Sequence, residues 1–457
     1  MVMTTLILAA SALVLVPLVA WAHHTNKKRL AAWRQVAGRL GLTYSKEGWW
    51  AKAKVEGDTT NGHTVVLDTY TVSTGKSSTT YTRIRVHITD PLPSLVLRPE
   101  GMGTALGRLI GSDDVTTEDP GFDDSVFVRS EDTEGLTAVL DSKARGLLRR
   151  CVDERFSVKD GSVQYQVGKV LRDADAIEAL LRKGIAIADL TQRPEDPVER
   201  LAKIATTDPV AGVRRRAVST LRQGLGADSD PDAEVRTRAL ESAARDPDAS
   251  VRVEAALGLG AIEVLADLVA DHHVTPPNRI KALRGLVDLA AVEQDTLLPL
   301  LQDQPPTVTA AAVRVAGEIG AAKCLPVVLG LITSPDRAVV TAACTALGLL
   351  GGPEHEGALF DVADSGTPKA RLAAVNTLGR LGTLASIPRL EPMTRGLMTD
   401  GDLKRAARAS IKAIQARGVG ARPGGLSIAD DQGGRLSREE PGQGGLSKPA
   451  RARVEDV

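Results

Sequence analysis

Five arginines recur at matching places in the second half of the chain, Arg214, Arg236, Arg252, Arg314 and Arg371, with Lys281 in the same series. Each stands near the start of a predicted helix. Cations repeated at one phase could form an anion-binding ladder along a groove, which makes these five the candidate partner-binding residues. The turn aspartates Asp208, Asp230 and Asp246 recur beside them. Pairing with those carboxylates is the competing role, and the near-zero charge of the segment favours it.

Other chemistries find fewer residues. His272-His273 could supply two metal ligands, but no Cys or third His stands near them. Asp113, Asp114, Glu118, Asp119, Asp123 and Asp124 crowd one stretch, without the alternating ligands, central Gly and terminal Glu of a calcium loop, and read as a solvated acidic loop. His63 and His87 lie singly in predicted strands, and Cys324 and Cys344 read as small buried thiols. There is no Gly-x-Ser-x-Gly elbow, His-Glu-x-x-His pair or P-loop. The expectation is a non-enzymatic chain with no catalytic, cofactor-binding or metal-ligating residues and no cofactor.

The composition agrees with that reading. The 457 residues carry 57 Lys+Arg and 57 Asp+Glu. Balance also holds by segment: 24 basic and 23 acidic in 23–190, 27 and 28 in 191–417, and 6 and 6 in 418–457. No segment has the basic excess that polyphosphates require, so nucleic acid is not an expected partner. Eleven of the 12 aromatics lie at or before Tyr165, which signals two kinds of core. Three cysteines without a Cys-x-x-Cys pair make neither a disulfide framework nor a zinc ribbon.

The elements that must position these residues fall into four segments. Residues 1–22 are uncharged, and the apolar run 6–22 is followed by His23, His24, Lys27, Lys28 and Arg29. This predicts an N-terminal transmembrane helix (1–26), with the body in the cytoplasm by the positive-inside rule. The alternative is export after cleavage at Ala20-Trp21-Ala22. Residues 27–190 predict an α+β membrane-proximal domain: a helix over 28–42, strands at 50–56, 63–72, 79–88, 94–97, 126–129, 156–159 and 163–167, and helices at 134–149 and 175–188. The stretch EDPGFDDSVFVRSEDTEGLTAVLDSKARGLLRR, closed by KDGSVQYQV, resembles a family of membrane-linked bacterial domains of unknown function.

From residue 191 to 417 the chain repeats itself. Copies start at Asp208, Asp246, Thr275, Pro305, Ser334, Gly366 and Gly401, with a further copy at Asp230, and shorter apolar segments lie between. Each of about seven units reads as a short helix, an Asp/Pro turn, a longer helix and a Gly stop. The pattern D-P-x-x-x-V-R, Ala-Ala, L-G-x-L-G resembles the HEAT-repeat family, in particular the short repeats of phycobilin lyases. The resemblance implies an all-α superhelical solenoid with a concave binding face. Di-iron enzymes of that fold use several His-Glu dipeptides, and only His355-Glu356 occurs here. DNA glycosylases of that fold need a basic, aromatic-bearing groove, and Phe360 is the sole aromatic of this segment. Residues 418–457 predict a disordered tail with three elements, Gly424 to Ser427, Gly434 to Ser437 and Gly444 to Ser447, each a linker fragment or a weak docking point. The functional expectation is a membrane-anchored scaffold offering a HEAT-repeat groove to a protein or peptide. An accessory enzyme or chromophore-lyase-like protein is the alternative.

Overall fold

The computed structural model describes His24 and residues 26–46, 52–75, 77–100, 116–225, 230–302, 305–395 and 400–419. Packing divides the chain into two compact units, Met1–Leu268 and Val269–Val457. The change of sequence period at 190/191 thus falls inside the first unit.

That unit opens on a helix over 26–40, whose Trp33 and Val36 are fully buried while Lys27, Lys28 and Arg34 stay outside. The expectation of a transmembrane helix is corrected here. Among the described residues no helix is long and apolar enough to cross a membrane, and this helix spends its apolar stripe on a protein core. The expected span itself lies outside the described residues, and the single-pass cytoplasmic placement is not retained. The tail 420–457 also lies outside them.

Eight strands make one antiparallel sheet in the order β1-β2-β3-β4-β8-β7-β5-β6: Thr43–Ser45, Lys54–Asp58, Thr64–Ser73, Ser78–His87, Val96–Pro99, Val126–Arg129, Ser157–Lys159 and Ser162–Val167 for β1 to β8. Alternation decides which face is wet. Ile84 and Val86 enter the core, whereas Arg83 and Arg85 on the other face share Asp68. The helix Ala174–Thr191 covers the core face through Ile177, Leu181 and Ile187. The single helix expected over 134–149 is two, Thr133–Val139 and Ser142–Asp153. Asp141 caps the second by accepting from Ala144 N at 2.8 Å.

Helical pairs follow: Pro197–Thr207 with Ala211–Gln223, and Ala233–Ala243 with Ala249–Leu259. The copy starting at Asp230 is therefore the first helix of a pair, not a second helix. Helix Ile262–Ala270 reaches across the division between the units.

The second unit continues with Pro276–Asp288, then Gln294–Leu301 with Pro306–Glu318, Leu325–Gly330 with Arg337–Leu350, Glu356–Ser365 with Pro368–Leu381, and Ile387–Arg395 with Gly401–Val419. Successive second helices lie side by side. Their interior glycines explain how closely. A Cβ on Gly317 would lie 3.0 Å from Ala346 Cα, and one on Gly379 would lie 3.0 Å from Ser410 Cα. The first Gly of L-G-x-L-G thus marks the seam with the next unit. Gly379→Ala should lower stability by about 1–3 kcal/mol through overpacking against backbone. Gly330→Ala, where an added Cβ meets nothing within 4 Å, should be neutral or stabilising by up to about 1 kcal/mol. Urea denaturation of both variants checks the contrast, and equal effects would refute the seam.

Candidate functional site

The D-P-x-x-x-V-R motif turns out to be a wiring rule. Arg214 is buried, forks onto Asp246 (Nε to Oδ2 2.7 Å, Nη2 to Oδ1 2.8 Å) and donates to the backbone oxygen of Asp208, its own turn residue, at 2.8 Å. Arg252 repeats the second half of this pattern, donating to Asp246 O at 2.8 Å. Each such arginine closes its own Asp-Pro turn, and Arg214 also grips the turn of the following pair.

The rung before Arg214 comes from outside the repeats. Arg145, on the helix Ser142–Asp153, is 3% exposed and forks onto Asp208 at 2.9 and 3.0 Å. It also donates to Leu140 O and Asp119. Burial acts to lower its pKa, but the hydrogen bonds it donates to Asp208 and Asp119 outweigh this and raise it. Arg236, the third motif arginine, lies 3.1 Å from Asp230 as an ion pair and reaches Glu134 at 3.2 Å.

The acidic run belongs to the same junction, contrary to the solvated loop expected. Asp119 holds Arg145, and Glu118 holds Arg215 at 2.7 Å. Asp123 accepts from the Thr117 and Glu118 backbone N–H groups, both at 3.0 Å. Gly212 permits the contact, since a Cβ there would lie 2.4 Å from Glu118 O. Asp113 and Asp114 lie outside the described residues.

Arg314 and Arg371 differ from these. Arg371 donates to Ala363 O at 2.8 Å, tying its helix to the end of the preceding one. Arg314 is exposed, on a groove of about 630 Å³ that crosses three successive second helices. Arg337 and Lys369 line the same groove, with Thr341, Thr345 and Pro368 between them and no carboxylate in the lining among the described residues. Arg337 and Lys369 were not singled out by sequence, because neither falls at the recurrent position: Lys369 stands two residues before Arg371.

Residues considered for chemistry are occupied otherwise. Glu356 of the His-Glu dipeptide accepts from Thr383 N at 3.0 Å and from the Thr383 and Ser386 hydroxyls. Burial would raise its pKa, but these donors outweigh burial and lower it. His355 Nδ1 faces the Gly352 backbone. His63 is fully buried; its Nδ1 accepts from Thr89 N, so Nε2 carries the proton donated to Asp189 at 3.1 Å. His87 Nδ1 meets Ser162 Oγ at 2.7 Å. Burial pushes the Cys344 thiol up to about 12, and raises Cys151 and Cys324 as well. Among the described residues no group of three or more His, Cys, Asp or Glu could hold a metal ion.

Residues 294–365 match the family of HEAT repeats. This segment is made of HEAT repeats. No curated protein matches the chain. Solved structures similar to it include YibA of Escherichia coli, at 17% identity over 51% of this chain and 87% of that one with a TM-score of 0.38. Computationally designed armadillo repeat proteins for modular peptide recognition share 17% identity over 48% and 92%, with a TM-score of 0.22. The CpcE–CpcF phycocyanin lyase of Nostoc sp. PCC7120 shares 20% over 48% and 83%, with a TM-score of 0.18. What the HEAT repeats of this chain do is read from their own surface.

Two predictions follow the wiring. Arg145→Met should cost about 3–5 kcal/mol by stranding the Asp208 carboxylate, and adding Asp208→Asn should recover part of that loss. Urea midpoints check this, and a double variant as weak as the sum of the single ones would deny the coupling. Glu356→Gln should destabilise by about 1–3 kcal/mol at pH 7. Because the folded pKa is depressed, the wild-type advantage is full above the unfolded value of about 4.3 and fades as pH falls through the folded one. Midpoints at pH 7 and pH 3 test the sign, and a gap unchanged with pH would contradict it.

Proposed function

We propose that the chain works by binding rather than catalysis, as a scaffold whose HEAT repeats present a cationic groove to an acidic protein or peptide partner. The observation that supports this reading most is the groove across Pro306–Glu318, Arg337–Leu350 and Pro368–Leu381. It overlaps the HEAT-repeat segment and gathers Arg314, Arg337 and Lys369 without a lining carboxylate among the described residues. Stacked repeats create extended surfaces that suit elongated partners. Small side chains between the cations, Ala338, Ala342, Thr341 and Thr345, leave room for a partner's backbone to approach.

Of the five arginines first considered, the groove contains Arg314. Arg214 and Arg236 are spent on internal carboxylates, and Arg252 and Arg371 on internal carbonyls. The exposed trio therefore carries the partner-binding role. Reversing Arg337→Glu together with Lys369→Glu should weaken partner retention at least about tenfold, through like-charge contact, without changing the melting temperature. Crosslinking in cells followed by purification of the wild-type and reversed proteins measures this. A partner recovered equally by both would sink the proposal.

A further inference from the structure

The cationic groove and the last helix of the repeats belong to one compact unit, Val269–Val457. Arg314, Arg337 and Lys369 are all exposed on the groove, and Ala338, Ala342 and Pro368 make the lining between them apolar. A ligand matched to this lining carries carboxylates beside apolar side chains, since covering the cations with apolar atoms alone would cost their hydration.

The chain carries such a segment within reach. Arg417 donates to Gly379 O at 2.6 Å and to Gly382 O at 2.9 Å, so the helix Gly401–Val419 ends beside the end of Pro368–Leu381. Lys369 lies at the other end of Pro368–Leu381, roughly 18 Å away at 1.5 Å of rise per residue. One helix-to-helix step of about 8–10 Å sideways completes the distance. Asp430 stands eleven residues beyond Val419, a reach of roughly 36 Å when extended. Asp430-Asp431 also differs from the other acidic pairs after Val419. No Lys or Arg stands between Pro423 and Gly434, and Leu426 and Ile428 come just before the two carboxylates. Glu439-Glu440 and Glu455-Asp456 each follow two arginines within four residues, which offset them locally.

We propose that the segment Leu426–Asp431 docks in the cationic groove of its own chain, Asp430 and Asp431 meeting Arg337 and Lys369 while Leu426 and Ile428 cover the apolar lining. It keeps the groove closed until an outside acidic partner displaces it. The inference rests on the reading of the groove as a site for acidic peptides. The order of residues suits the direction of approach. Arg337 and Lys369 stand at the starts of their helices, so a segment arriving from the helix ends passes Thr345 and Ala342 before it meets them. Leu426 and Ile428 likewise leave Val419 before Asp430 and Asp431. A tether of this kind gives an effective concentration on the order of 1 mM, so a segment whose own Kd is about 0.1 mM fills the groove about nine-tenths of the time. A competing ligand then binds about tenfold more weakly than it would to the open groove.

The test is fluorescence anisotropy with a labelled synthetic peptide of the sequence Pro423–Gly434, titrated with the full chain and with the full chain carrying Asp430→Asn and Asp431→Asn. The altered chain should bind the peptide about tenfold more tightly than the wild type, because its own segment no longer competes. Adding Arg337→Glu and Lys369→Glu to either chain should abolish that binding. As a second readout, Thr345→Cys with Ser427→Cys should form a disulfide within one chain under mild oxidation in dilute solution, the native thiols being buried. The charge reversal should suppress that bond. Peptide binding that needs Arg337 and Lys369 but is equal in both chains would overturn the inference while leaving the groove reading intact. Absence of peptide binding by either chain, or binding indifferent to the charge reversal, would overturn it too, and retention of the crosslinked partner would still decide the groove reading separately. Disulfide-linked dimers in place of the intramolecular bond would assign the segment to a second copy and equally overturn it.

Discussion

The interaction on which the first unit depends is the buried guanidinium–carboxylate fork at the Asp208-Pro209 and Asp246-Pro247 turns. Arg145 on Asp208 and Arg214 on Asp246 are successive rungs, and both pairs are withdrawn from water. Desolvating two charges costs nearly what their attraction returns, so such pairs add little net stability but penalise misregister heavily. A helix shifted by one turn would strand a buried charge. The rungs therefore set the spacing between helical pairs, while Ala and Leu fill the seam without choosing it.

The first rung gives the sheet-bearing part its structural role. A stack of repeats needs a terminal cap, because the first pair has an apolar face and an unmet turn. Here Arg145 stands where a preceding repeat's arginine would stand, and Ala138 joins the core of the first two pairs. The break between Thr133–Val139 and Ser142–Asp153 serves the same end, since it exposes the Leu140 carbonyl that Arg145 also binds. The sheet and the opening repeats are one unit for this reason. In the second unit the fastening differs: Arg371 and Arg417 bind helix-end carbonyls, and Glu356 binds hydroxyls of the next pair. Released from turn carboxylates, Arg314 is left facing solvent on the groove.

Much of this was legible in one dimension. The strands from β2 to β8 sat within a few residues of their predicted places, because alternation of Val, Thr and Tyr is a local signal. The three-residue β1 carries too little pattern to be found. The pairing of motif arginines with turn aspartates was open to sequence as one of two roles, but not which aspartate each would take. The acidic run misled, because local charge density does not reveal that Arg145 and Arg215 come to meet it. The apolar N-terminus invited a membrane reading, whereas the described helix after it turns its apolar stripe to the sheet.

By itself the sequence determined the repeat, its helix–turn–helix grammar, the glycine stops and the neutrality of every segment. These follow from short-range sterics, capping and periodicity, which act within some ten residues. The tertiary structure alone decided which cations are consumed and which face solvent, and that Arg145 begins the ladder. The ladder rests on contacts across 32 to 102 residues of chain, where burial and partner geometry outweigh anything a residue's neighbours can announce.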